Sequence, residues 1–142
     1  MKKIIMISAL FVTFGFAACA QKLDASKVPA AVKAAFAKQY PGITAGWERE
    51  DRNYEVNFKQ NGNTMSALYE ANGTLTETEM DIKVSDLPAT VQSYIKEHYK
   101  GKTVKEAAKI TKADGTVNYE AEVSGKDVIF DAAGKFIKEA KD

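Results

Sequence analysis

The 142-residue chain has few of the residues on which catalytic and metal sites usually depend. It contains one cysteine, one histidine and one tryptophan. A single cysteine excludes an intramolecular disulfide. His98 has no cysteine or histidine neighbours and is a poor metal ligand, and no serine or cysteine nucleophile lies at a recognisable spacing from it. We therefore expect no metal and no cofactor, and we interpret His98 as a surface or half-buried helix position.

Nucleotide-binding motifs and a charge excess are also missing. The sequence has no Walker A loop and no dinucleotide-binding fingerprint. Its 20 basic and 19 acidic residues nearly cancel, and no basic amphipathic helix is present. A chain of this charge balance is not expected to bind nucleic acid or a membrane surface by electrostatics.

The first 20 residues are organised like an export signal. Basic residues at 2–3 precede an apolar stretch at 4–16, and small residues surround Cys19. The apolar stretch is too short to span a bilayer. Two processing routes are open: cleavage that leaves a soluble chain starting at Gln21, or lipidation of Cys19 in a lipobox-like sequence. We expect an exported protein that is either periplasmic or anchored as an outer-membrane lipoprotein.

The remainder of the chain is an internal repeat. The segment SKVPAAV at residues 26–32 returns as SDLPATV at residues 85–91, and similar pairs follow downstream. Self-similarity of this kind indicates one supersecondary unit stacked on a copy of itself, because a unit of about 55 residues is marginal alone. We predict a first repeat at residues 21–81 and a second at residues 82–142.

Each repeat has the pattern of one helix followed by strands. Ser26 is predicted to cap the first helix and Pro29 to lie in its first turn. Alternating apolar and polar residues at 53–59 and 117–123 predict antiparallel strands with one face buried and one in water, and Asn61-Gly62 is a strong hairpin signal. The prediction is an α+β fold: two tandem α-β-β-β-β repeats form one antiparallel sheet with both helices on one face.

Several segments resemble the PepSY-like family of exported bacterial proteins. They are Trp47-Glu48-Arg49-Glu50, Tyr54-Glu55-Val56-Asn57-Phe58, and Asn61-Gly62 followed by residues 66–73. That family is also described as resembling the β-lactamase inhibitor protein, whose two repeats form a curved sheet with helices on the convex side. The resemblance implies this fold and no established enzymatic activity, and inhibition of a β-lactamase or peptidase is suggested by analogy.

Acidic pairs are the remaining candidates for chemistry. Glu48 and Glu50 share one side of a predicted strand and could form an acid–base pair, but polar sheet faces carry such pairs routinely and no catalytic residue is predicted. Glu77, Glu79 and Asp81 lack the spacing of a calcium loop. We interpret them as a solvated acidic edge.

The predicted function is a non-catalytic exported binding module that engages a protein or peptide partner through the open face of the sheet. The candidate binding residues are Trp47, Arg49, Asn57 and Lys59, since Trp and Arg are enriched among interface anchors. The alternative for Trp47 is that it completes the helix–sheet core. The alternative function is a structural or stress-related cell-envelope protein without a specific ligand.

Overall fold

The computed structural model describes residues 21–141, which form two helices and nine strands. Residues 1–20, with the predicted export signal and Cys19, lie outside the described residues. The helices are α1 (Ala30–Gln39) and α2 (Ala89–His98). The strands are β1 (Gln21–Leu23), β2 (Ala45–Glu50), β3 (Asn53–Gln60), β4 (Asn63–Tyr69), β5 (Leu75–Ile82), β6 (Val104–Lys112), β7 (Val117–Val123), β8 (Lys126–Asp131) and β9 (Phe136–Lys141).

All nine strands belong to one antiparallel sheet in which each strand pairs with its neighbours in sequence. The two repeats join through β5 and β6, where Glu77 lies opposite Lys112 and Ile82 opposite Ala107. The predicted α+β fold is confirmed. One strand was not predicted: β1 pairs with β2 through three residues, from Gln21 opposite Arg49 to Leu23 opposite Trp47.

The start of α1 differs from the sequence prediction. Ser26 does not cap α1, because it lies in a short 3-10 turn (Ala25–Lys27) whose cap is Asp24. The Asp24 carboxylate accepts a hydrogen bond of 2.8 Å from the Ser26 amide. Pro29 occupies the position before the first helical residue, where its fixed φ and missing N–H cost the helix nothing.

The helices pack on the same face of the sheet and create two apolar cores. The first core includes Val32 and Phe36 of α1 with Val56 and Tyr69 of the sheet. The second includes these apolar residues of α2 and the sheet: Val91, Ile95, Ala121, Val123, Val128 and Phe130. Among the described residues, no helix is long and apolar enough to cross a membrane.

The strand register shows that the two cores share a face. Met65 packs on the first core and lies opposite Met80, which lies opposite Lys109. Lys109 in turn lies opposite Tyr119, which packs on the second core. Directly paired residues of an antiparallel sheet point to the same side, so both helices cover one face, and within residues 21–141 the other face carries no helix.

Glycines allow a hairpin turn and a close contact between the sheet and a helix. Asn61 and Gly62 have φ of 51° and 82°, as the predicted two-residue hairpin requires. Gly134 has φ of 80°, and a Cβ atom there would lie 1.9 Å from Thr90 Oγ1 at the start of α2. Only glycine fits this close approach between the β8–β9 turn and the helix.

Candidate functional site

The face of the sheet that carries no helix, here called the open face, is strongly acidic. On this face Glu55 is paired across the strands with Glu48 on one side and Leu68 on the other, and Glu79 is paired with Ser66 and Ile110. Eleven acidic side chains lie on this face: Glu48, Glu50, Glu55, Glu77, Glu79, Asp81, Glu106, Glu120, Glu122, Asp127 and Asp131. Five lysines accompany them: Lys22, Lys59, Lys105, Lys112 and Lys138.

The middle of the open face is buried, which corrects the prediction of a face in water. Glu55 is 0% exposed, Glu79 is 5% exposed and Glu77 is 9% exposed. The interpretation of Glu77 and Glu79 as a solvated acidic edge was therefore wrong. The reason is their position: β5 is the central strand of the nine, with four strands on each side, so its open-face side chains are enclosed by those of neighbouring strands.

Several of these buried carboxylates lack hydrogen-bond partners within residues 21–141. Glu50 Oε2, both oxygens of Glu55 and Glu79 Oε2 are buried without a well-oriented donor, and so is the amide oxygen Oδ1 of Asn57. Buried polar atoms in folded proteins are usually satisfied. Five such oxygens on one face therefore set this region apart from an ordinary core.

Burial and mutual repulsion keep these carboxyl groups protonated to unusually high pH. Burial, followed by the charges of Asp51 and Glu77, raises the pKa of Glu50 to about 7. Burial and the charge of Glu50 raise the pKa of Glu55 to about 8, an effect that the Ser66 hydroxyl partly offsets. The charged forms are disfavoured because they would be both desolvated and close to like charges.

Burial also raises the pKa values of two carboxyl groups on β5, those of Glu77 and Glu79. Burial raises the pKa of Glu79 well above its ordinary value, and the neighbouring Glu120 and Glu55 add to the rise. Burial also raises the pKa of Glu77, but Lys112 and Lys138 lower it. Two lysines therefore partly offset the raised pKa of Glu77, whereas no lysine is among the groups that shift the pKa of Glu79.

The four predicted binding residues do not form one surface. Trp47 lies opposite Val56 and Arg49 opposite Tyr54, both core residues on the helix-covered face. Asn57 and Lys59 alternate with these core positions along β3 and lie on the open face. The sequence showed that each pair shares a side of its strand, and the structure places the two pairs on opposite sides.

Trp47 and Arg49 each contact the first core. The Trp47 ring meets the edge of Phe36 with centroids 5.6 Å apart, and its side chain is half-buried against the cluster. Arg49 is exposed, donates from Nη1 to the Tyr54 hydroxyl at 3.1 Å, and holds its guanidinium carbon 5.2 Å from the Tyr54 ring centroid. These contacts favour the packing alternative for Trp47.

Asn57 and Lys59 line an open depression at one end of β3. Gly42, Thr44 and Thr64 complete much of its wall. Lys59 is exposed, Asn57 is half-buried, and Ile43 and Phe58 of the first core also line the depression, so it lies at the rim where the open face meets that core. Its two side chains offer an amide and a cation for a partner to contact.

The other candidates for chemistry gain no support from their surroundings. Glu48 and Glu50 share the open face as predicted, but the only histidine lies on α2, where His98 is exposed and stacks on Tyr94 at 4.0 Å between centroids. Across residues 21–141, no group of three or more His, Cys, Asp or Glu side chains is arranged to hold a metal ion.

Glu48 and Glu50 were considered as candidates from the sequence, whereas Glu55 and Glu120 were not. The signal was available, because each follows the tyrosine of a repeated Tyr-Glu pair and alternates with core residues. What alternation cannot show is that an open sheet face becomes buried by its own side chains.

The chain belongs to the PepSY-like family, which is proposed to be β-lactamase-inhibitor-like. The family model matches residues 17–77 and again residues 52–138. Two overlapping matches fit the tandem repeat that joins at β5 and β6. The family is inhibitor-like and not catalytic, in agreement with the interpretation that the protein is not an enzyme.

Solved structures share this fold at low sequence identity. A DUF2874 family protein from Bacteroides uniformis superposes with a TM-score of 0.71 at 20% identity, covering 80% of this chain and 88% of that one. A BLIP-like protein from Bacteroides fragilis gives 0.65 at 23% identity, covering 80% and 86%. A proposed periplasmic protein from Bacteroides eggerthii gives 0.72 at 15% identity, covering 80% and 88%. A search of curated proteins found no match.

Proposed function

We propose that this protein is a non-catalytic periplasmic module that binds a protein or peptide through the open face of its sheet. The observation that carries the proposal is a sheet face that no helix of residues 21–141 covers and on which several buried carboxylate and amide oxygens have no well-oriented donor within those residues. Such groups are costly when unpaired, and a partner that supplies donors would recover that cost. The periplasmic assignment is supported by the export signal predicted at residues 1–20 and by the proposed periplasmic protein of similar fold.

Asn57 and Lys59 are the accessible contacts in this proposal. They lie at the rim of the open face beside the depression, whereas Trp47 and Arg49 belong to the opposite side of the sheet. A partner that covers the open face would reach the first pair and not the second. The proposal therefore keeps Asn57 and Lys59 as binding residues and assigns Trp47 and Arg49 to packing.

Affinity capture from envelope extracts tests this proposal. Residues 21–142 would be immobilised as the unchanged chain, as the open-face variant N57A/K59A and as the helix-side control R49A. We expect the open-face variant to lose a protein that the unchanged chain and R49A both retain. Equal capture by all three would contradict the open face as the binding surface, and no specific capture at all would favour a structural cell-envelope role.

A further inference from the structure

The open face and the rest of the molecule carry opposite charge. Among residues 21–141, the open face holds eleven acidic and five basic side chains, whereas the remaining positions hold seven acidic and thirteen basic ones. A chain with near-zero net charge thus has an acidic face and a basic remainder. Such separation orients and attracts a charged partner.

The acidic excess is least compensated in the first repeat. Glu50, Glu55 and Glu79 form no ion pair within the described chain, and each is less than a tenth exposed. Within residues 21–141, neither Glu55 oxygen has a well-oriented donor, although the nearby Ser66 hydroxyl lowers the pKa of Glu55. In the second repeat, by contrast, Lys105 lies 3.6 Å from the Glu122 carboxylate.

We propose that the open face receives a basic segment of a partner protein, whose lysine and arginine side chains pair with Glu50, Glu55 and Glu79 and displace the protons of these carboxyl groups. The inference rests on the proposed function, since it names the chemistry of the partner for the same face. The half-buried Glu48 and Asp81 would make the first contacts. Entry to the buried groups then requires their side chains to change rotamer.

The spacing of the carboxylates suits a peptide better than a single ion. Glu55 lies on β3 and Glu79 on β5, two strands apart, which corresponds to about 10 Å across a sheet. Same-side residues of an extended peptide are about 7 Å apart, and lysine or arginine stems can span the difference. No cluster in the described residues has the geometry of a metal site, so one divalent ion would not satisfy these groups together.

Proton release makes the interaction distinguishable from ordinary surface attraction. The carboxyl group of Glu55, with a pKa of about 8, is largely protonated at neutral pH, and that of Glu50, with a pKa of about 7, is about half protonated. A nearby cation favours the charged form, so binding must expel protons. Affinity should then rise with pH between about 6 and 8, up to tenfold per pH unit for each proton released.

Calorimetry with a capped octalysine peptide tests the inference on residues 21–142. Titrations at pH 6, 7 and 8, in buffers of different ionisation enthalpy, measure both affinity and proton release. We expect tighter binding at higher pH with at least one proton released. The isosteric variants E55Q and E79Q should each weaken binding about tenfold at pH 8 and reduce the proton release, whereas E97Q, an exposed position on α2, should change neither.

The outcomes separate this inference from the proposed function. Octalysine binding without proton release, or equal weakening by E97Q, would overturn the inference. So would the release of the same protons by calcium chloride alone, which would assign the face to a metal ion.

If octalysine does not bind while N57A/K59A still abolishes partner capture, the proposed function stands without this partner chemistry. If octalysine binds with proton release while capture is unchanged, the proposed function is contradicted instead. Thermal unfolding of each variant confirms that it remains folded.

Discussion

The two repeats are alike on the face that packs against the helices and different on the open face. On the helix side, Tyr69 of the first repeat corresponds to Phe130 of the second, and both are essentially fully buried. On the open side, Glu50 of β2 corresponds in register to Ile110 of β6. The helix-covered face is constrained by packing, whereas the open face has diverged in charge.

A second difference concerns how each repeat completes its core. Trp47 lies opposite Val56 in the first repeat, and Ala107 lies opposite Ala121 in the second. The first core is therefore extended by a large aromatic at the position where the second has a methyl group. The second repeat instead places Phe136 of the edge strand β9 on Tyr94, with ring centroids 5.2 Å apart.

The largest effect that we expect is a pH dependence that originates in the first repeat. The folded-state pKa of Glu55 is about 8, above its ordinary value of 4.5, so the folded chain binds the extra proton between these values. Stability should fall as pH rises from about 4.5 to 8 and then level off. At ~1.4 kcal/mol per pKa unit the loss is at most on the order of 5 kcal/mol.

Urea unfolding at several pH values measures this loss. E55Q should be more stable than the unchanged chain at pH 8, because the amide carries no charge to bury, and its stability should depend less on pH. E97Q on the exposed face of α2 should follow the unchanged chain. If the stability of E55Q depends on pH as strongly as that of the unchanged chain, the pH dependence does not originate in the open face of the first repeat.

Truncation of a buried ring in either core should have a comparable effect but should not distinguish the repeats. Y69A and F130A each remove a buried ring, which typically costs roughly 3–5 kcal/mol. Because β5 and β6 pair along six residues, either change should lower one cooperative transition for the whole chain. Two separate calorimetric transitions, or cooperative unfolding of residues 21–81 alone, would show that the repeats are independent domains.

Substitution of Trp47 should have the smallest of the three effects on stability, and it tests whether Trp47 is a packing residue. It is half-buried against Phe36, so W47A should lower the free energy of unfolding by about 2 kcal/mol. The exposed control R49A should cost under ~1 kcal/mol. Partner capture by folded W47A should be unchanged. Lost capture at full stability would instead return Trp47 to the binding surface.

The fold was predictable because its signals are local and occur twice. Asn61-Gly62 predicted the hairpin, and alternation at residues 53–59 predicted the side of each β3 residue. β1 could not be predicted from three residues, since its pairing with β2 depends on tertiary contacts. The prediction that Ser26 caps α1 was wrong because residues 25–27 form a separate 3-10 turn, capped by Asp24, before α1 begins.

The candidate site was less predictable than the fold. Alternation shows that Trp47 and Arg49 share a side and that Asn57 and Lys59 share a side, but only the register of β2 with β3 relates the two pairs. The burial of Glu55 depends on neighbours from several strands, which no single segment reveals. Local pattern therefore identified the polar face without identifying its buried centre.

The ionisation of Glu55 is the most direct test of the central claim. That claim is that the open face of the first repeat contains a buried carboxyl group without a compensating cation. Carbon-13 NMR of the side-chain carboxyl in residues 21–142, assigned with E55Q, would give its titration midpoint. The account predicts a midpoint near pH 8. A midpoint near the ordinary glutamate value of 4.5 would show that Glu55 is solvated or already paired, and would contradict this interpretation.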